Sequence, residues 1–263
     1  MPNINEGVEM ARKLLPIIYI LDTSGSMTGD RISSVNEAMH DTVELLKEVA
    51  EKEPSADIKM GVLQFATNAK WVTNGLISPD NFFWNDLSAA GLTDLGAALA
   101  ELNDKLSRRA WLTSDVGFKA PVLIFMSDGC PTDDYVSALE KIKAENLWYQ
   151  VSTKISIAVG DDADRGVLEQ ISGNREAVIE VNDSESLKQL IKVVSVTASQ
   201  IGSKSHVTDN NLSEIIKNVN DIMGSDAGVT IADPVVDTSS ATDTNDDSSE
   251  DNTGWPVDGD FNW

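Results

Sequence analysis

The stretch Ile17-Ile18-Tyr19-Ile20-Leu21-Asp22-Thr23-Ser24-Gly25-Ser26 decides the fold. Its first five residues are apolar without alternation, as a strand reads when both of its faces are covered. The chain then breaks at once into small polar residues suited to a turn. A strand covered on both faces belongs to a parallel sheet between helices. In such sheets ligands bind in the polar turns beyond the carboxyl ends of the strands.

Working outward, the rest of the chain fits that frame. Arg31 to Glu53 places Ile32, Val35, Met39, Val43, Leu46 and Val49 at three- and four-residue steps, predicting a helix that Pro54 ends. Ile58 to Ala66 reads as a strand, with Lys70 to Leu76 as its hairpin partner. Asp94 to Arg108 reads as a helix, and Pro121 to Ser127 as a second strand covered on both faces. Helix 133–146, strand 153–159, helix 164–172, strand 177–181 and helix 184–201 follow. The expected fold is α/β: a doubly wound, mostly parallel sheet with helices on both faces. Domain limits are expected at 1–13 (an extension), 14–205 (the sheet domain), 206–232 (a helical extension) and 233–263 (an acidic tail).

Composition excludes several classes. The chain has 263 residues and a formal net charge of −23, with 43 acidic against 20 basic residues. Phosphate-binding surfaces need clustered Lys and Arg, so neither nucleic acid nor an anionic membrane is expected as a partner. One cysteine, Cys130, allows no intrachain disulfide and fits a cytoplasmic setting. The run Leu14 to Leu21 follows Arg12 and Lys13, but it contains Pro16 and leads into an acidic motif. It is expected to be a buried strand and not a signal peptide.

Three separated pieces carry the chemistry. Asp22-Thr23-Ser24-Gly25-Ser26 follows the first buried strand, Thr93 opens a helix in Gly91-Leu92-Thr93-Asp94, and Asp128 follows the second buried strand in Met126-Ser127-Asp128-Gly129. Asp22, Ser24, Ser26, Thr93 and Asp128 together offer two carboxylates and three hydroxyls. That all-oxygen set suits Mg²⁺ or Mn²⁺, with Ca²⁺ a third candidate, and it leaves the ion's shell open to an incoming carboxylate. The plainer alternative makes Asp22 a strand terminator and Thr93 a helix cap.

With those residues in place, the chain resembles a von Willebrand factor A (VWA) domain carrying a metal-ion-dependent adhesion site (MIDAS). The resemblance covers about Leu14 to Ile201. It implies that the serines and threonine reach the metal directly, that the aspartates act directly or through water, and that a partner's Asp or Glu completes the shell. Within the family, LDTSGSM, GLTDLGAAL and MSDGCPTDD are most similar to TerY-type proteins of bacterial tellurium-resistance and stress gene clusters. That likeness implies a cytoplasmic adaptor, a protein-binding and not an enzymatic role, and partners such as a protein kinase and a PP2C-type phosphatase.

Other residues receive plainer expectations. Asp30 and Asp133 are expected to offset helix dipoles, and Asp161, Asp162 and Asp164 to form a solvated loop capping the next helix. His40 and His206 lack partners at zinc spacing, and Cys130 is expected to be a shielded thiol. Phe82, Phe83 and Trp84 are expected to pack in the core, Trp84 near the rim of the metal face. Residues 233–263 hold nine acidic residues and no Lys or Arg, yet end in aromatics. Trp255, Asp258, Asp260, Phe261 and Trp263 there are expected to form a docking motif, in cis or in trans. One alternative is an autoinhibited switch in which this tail occupies the metal site. Another is a metal-dependent hydrolase, for which no general base is evident.

Overall fold

The computed structural model describes residues 12–203, 211–224 and 229–231. Strand β1 (Lys13–Asp22) is followed by helix α1 (Asp30–Lys52), β2 (Ala56–Ala66), β3 (Asn68–Trp71), α2 (Leu95–Lys105) and β4 (Val122–Ser127). Then come α3 (Tyr135–Glu145), α4 (Leu147–Val151), β5 (Thr153–Val159), α5 (Arg165–Ser172), β6 (Val178–Val181), α6 (Ser184–Ser203), α7 (Asn211–Met223) and β7 (Val229–Ile231). The strands form one sheet in the order β3-β2-β1-β4-β5-β6-β7. β2, β1, β4, β5 and β6 are parallel, and the edge strands β3 and β7 run antiparallel to their neighbours.

The apolar runs explain this directly. Along β1 and β4, alternate side chains enter two different cores. Ile17, Tyr19, Leu21, Val122, Ile124 and Met126 meet α1, α6 and α7, whereas Ile18, Ile20, Leu123 and Phe125 meet α2, α3 and α5. Both faces of the central strands are therefore dry, which is why no polar residue interrupts them. Helix α1 turns Val35, Met39, Val43 and Leu46 to the first core, at the spacing the sequence showed.

The order β2-β1-β4 also fixes where loops open. The chain leaves β1 to one side for β2 and returns to the other side for β4, so a crevice forms above the carboxyl ends of β1 and β4. Two elements were not expected from sequence. A short helix, α4, follows α3, and β7 closes the far edge of the sheet against β6. The expected tail motif of Trp255, Asp258, Asp260, Phe261 and Trp263 lies outside the described residues, as does His206.

Candidate metal centre

The crevice is lined by residues that the two central strands deliver. Asp22 is the last residue of β1 and Ser127 the last of β4, and Leu21 is in register with Met126, so the two strand ends lie side by side. The Ser127 hydroxyl donates to Asp22 Oδ2 at 2.6 Å and accepts from the Gly129 amide at 2.9 Å. The Ser24 amide donates to Asp22 Oδ1 at 2.8 Å. The Ser24 and Ser26 hydroxyls stand 3.0 Å apart, and Ser26 Oγ donates to Asp128 Oδ1 at 2.8 Å. Four of the five expected side chains thus share one hydrogen-bonded cluster.

Thr93 arrives differently. Its loop is laid beside the first loop by backbone bonds: the Gly25 amide donates to Gly91 O at 3.0 Å, and the Ala90 amide to Thr23 O at 2.8 Å. The Gly91 backbone lies so close to Thr67 that a Cβ there would stand 2.5 Å from Thr67 Oγ1, and its φ is +89°. Only glycine fits. Thr93 is fixed at both ends of its peptide unit, its amide donating to Thr132 Oγ1 at 2.9 Å and its carbonyl accepting from the Thr132 amide at 2.9 Å. Its side chain is buried beside the crevice, but no hydrogen bond joins it to the other four among the described residues.

Electrostatics single out Asp22. It is 1% exposed, and its hydrogen-bond donors are a hydroxyl and an amide. Among the described residues no Lys, Arg or His forms an ion pair with it. Burial pushes its carboxyl above the usual carboxylate range. The Ser127 and Ser24 donors oppose that rise, and the nearby negative charge of Asp128 adds to it. Asp128 is buried too but has a cation: Arg31 Nη1 lies 2.8 Å from Asp128 Oδ2, and Arg31 Nη2 lies 2.6 Å from Asp162 Oδ1. Partial burial opposes the Arg31 charge, but Asp162 and Asp128 outweigh it and leave the guanidinium more firmly protonated than usual. The same bond holds the Asp162 carboxyl below the carboxylate range.

The donor set fits a hard divalent cation. Two carboxylates and neighbouring hydroxyls face one crevice, and one of those carboxylates is buried without a countercharge. Among the described residues no three His, Cys, Asp or Glu side chains group as a metal site, so any ion here must rely on the hydroxyls.

Sequence reasoning missed Ser127, Arg31 and Asp162. Ser127 looks like an ordinary strand end, and Arg31 and Asp162 are 131 positions apart. Some expectations need correction. Phe82 and Trp84 are buried, but Phe83 is 75% exposed under the Lys47 ammonium, because extended backbone turns alternate side chains to opposite sides. Trp84 is held inside by Asn36, its Nε1 donating to Asn36 Oδ1 at 3.3 Å. Cys130 is exposed, not shielded. Asp133 serves a neighbouring helix: its two oxygens accept from the Gly96 and Ala97 amides of α2, each at 2.9 Å, while Asp134 caps α3. Asp164 caps α5 by accepting from the Val167 amide, and Asp162 in the same loop is engaged by Arg31. His40 is an exposed residue of α1 beside Asp86.

Comparison with known proteins agrees with this architecture. A von Willebrand factor type A protein from Catenulispora acidiphila superposes with a TM-score of 0.50 at 18% identity, over 71% of this chain and 43% of the other. Proximal thread matrix protein 1 from the mussel byssus gives 0.51 at 20% identity, over 70% and 47%. The PilB minor pilin from Streptococcus sanguinis gives 0.53 at 12% identity, over 74% and 62%. The mussel protein has also been solved with zinc occupying its MIDAS motif. The chain thus spans about half the length of these relatives, and at such identities the likeness is one of fold. No curated protein matches the chain. The profile of the von Willebrand factor type A domain matches residues 17–193, from the first central strand into the last long helix of the sheet. The chain belongs to the von Willebrand factor type A domain family.

Proposed function

We propose that this chain is a metal-dependent protein-binding adaptor of the TerY type. Asp22, Ser24, Ser26, Thr93 and Asp128 hold a divalent cation, and an Asp or Glu of a partner protein completes its shell. The observation that carries this is Asp22 itself. A buried carboxylate that no cation balances is costly, and such groups are kept where they ligate metals or do chemistry. Two carboxylates and three hydroxyls are too few to fill the shell of a six-coordinate divalent ion, so the site keeps room for an outside oxygen donor. Mg²⁺ or Mn²⁺ suits this small set better than Ca²⁺, which takes six to eight oxygens.

VWA domains commonly serve as interaction modules, and the crevice here suits binding better than turnover: no general base stands beside it among the described residues. Leu92, exposed next to Thr93, offers a partner apolar contact at the rim. The TerY assignment, with its cytoplasmic setting, stress role and kinase or PP2C-type phosphatase partners, rests on the segments LDTSGSM, GLTDLGAAL and MSDGCPTDD.

Calorimetric titration with MnCl₂ and MgCl₂ tests the site. The wild type should bind one ion, and Asp22→Ala should lower the affinity by about a hundredfold or more, beyond the usual cost of disturbing a supporting residue. Capture of a kinase or phosphatase partner should then fall when EDTA is added. Equal capture with EDTA, and by Asp22→Ala, would remove the ion from the binding role.

A further inference from the structure

Arg31, in the first turn of α1, is held from three sides. Its Nη1 bonds Asp128 Oδ2 at 2.8 Å and approaches Ser26 O at 3.4 Å, and its Nη2 bonds Asp162 Oδ1 at 2.6 Å. The third side is Gly160, at the end of β5. A Cβ on Gly160 would lie 2.3 Å from Arg31 Nη2 and 2.9 Å from its Cζ, so the guanidinium rests directly on the Gly160 backbone. Gly160 is anchored in turn by its amide, which donates to Val181 O at 2.8 Å, and its φ of +91° favours glycine. The cradle and the two ion pairs are independent features that fix the same cation. Arg31, Gly160 and Asp162 lie outside the five-residue oxygen set, to which Asp128 belongs.

We infer that Arg31 is a specificity-determining clamp, which weakens the hold on the bare cation and sharpens the demand for an acidic partner. This rests on the metal binding proposed above. Arg31 occupies Asp128 Oδ2, so the other oxygen, Oδ1, is the one bonded within the oxygen set, to Ser26. With Asp162 counted, the ion, three carboxylates and Arg31 sum to neutral. Asp162 is 69% exposed, however, and its charge is screened by water, so close to the ion the Arg31 charge offsets one of the two buried carboxylates. An isolated ion is then held less tightly, and an arriving carboxylate gains more. Through Asp162 the same fork ties the loop after β5 to the metal loop, so a partner touching Gly160 to Asp164 would feel the state of the crevice.

The test is Mn²⁺ binding to the full chain, followed by electron paramagnetic resonance of free Mn²⁺. Arg31→Gln should bind Mn²⁺ about tenfold more tightly than the wild type, the scale of one unit charge removed a few ångströms from a divalent ion in a well-screened setting. Arg31→Lys keeps the charge and should stay within about threefold of the wild type. Acetate, the simplest carboxylate probe, should bind the Mn²⁺-loaded wild type about threefold more tightly than loaded Arg31→Gln. If Arg31→Gln does not fold, Gly160→Ala takes its place: it displaces the guanidinium and should likewise tighten Mn²⁺ binding. Unchanged or weaker binding in Arg31→Gln, or Arg31→Lys tightening as much as Arg31→Gln, overturns the role of Arg31 alone. Absence of Mn²⁺ binding by the wild type, with Asp22→Ala identical to it, overturns metal binding and this inference together.

Discussion

Asp22 ends a strand with both faces packed, and its carboxyl is almost wholly withdrawn from water at the floor of the crevice. Its folded-state pKa is raised, chiefly by that burial. A raised carboxyl stabilises the fold fully only below the ordinary value near 3.8, and the contribution disappears as pH climbs through the folded value. At neutral pH and without metal, the wild type therefore bears the whole burden of a buried charge. Asp22→Asn, which removes that charge and keeps the shape, should melt higher than the wild type at pH 7 in EDTA, and the gap should shrink as pH is lowered toward 4. Added Mn²⁺ should raise the melting point of the wild type alone, by about 2.7 kcal/mol of stability at a hundred times its dissociation constant. Scanning fluorimetry across pH, with and without MnCl₂, reads both effects. At this scale Asp22, Ser24 and Ser26 are legible in the sequence because they are closely spaced and directly follow a strand. Arg31 and Asp162 are not legible, because a charged residue in the first turn of a helix and an aspartate in a polar loop both look solvated until the fold brings them together.

The elements explain how the more distant pieces arrive. Asp133 reaches across to the start of α2 and accepts from two of its free amides, holding the Thr93 end of that helix. Asp133→Ala should cost about 1–2 kcal/mol in urea unfolding, the value of a helix cap, and should also weaken Mn²⁺ binding. Asn36 of α1 plays a similar part for the long loop before α2: its Oδ1 accepts from the Leu87 amide at 2.8 Å and its Nδ2 donates to Leu87 O at 2.9 Å. Asn36→Ala strands buried partners, Trp84 Nε1 among them, and should cost about 1–3 kcal/mol. Strand and helix positions were legible wherever apolar spacing was regular, as in β1, β4 and α1. The middle of the Phe82-Phe83-Trp84 run misled because three adjacent aromatics look like one cluster, whereas an extended backbone must send the central one outward. β7 was missed because three residues after a glycine carry too little pattern to declare a strand.

For the whole molecule two quantities matter, the two cores and the charge. Leu99 on one face of the sheet and Ile191 on the other are fully buried in separate cores. Truncating either to alanine should cost about 2–5 kcal/mol, and the two losses should add in the double variant. With a net charge of −23, the folded chain repels itself. Its melting point should rise as NaCl increases from about 10 mM to about 150 mM, where the screening length drops from roughly 30 Å to roughly 8 Å. A melting point insensitive to salt would mean that the acidic side chains are spread too thinly to repel.

Among the described residues, the three of β7 are the only strand partners that β6 has on its outer side. In a chain cut after Gly224, Val178 to Val181 would present a bare ribbon of amides and carbonyls, ready to zip onto the same ribbon of another molecule. Sedimentation of that shortened chain should reveal more pairs and longer stacks than the uncut chain forms, as expected if a strand of three residues guards the edge against self-association.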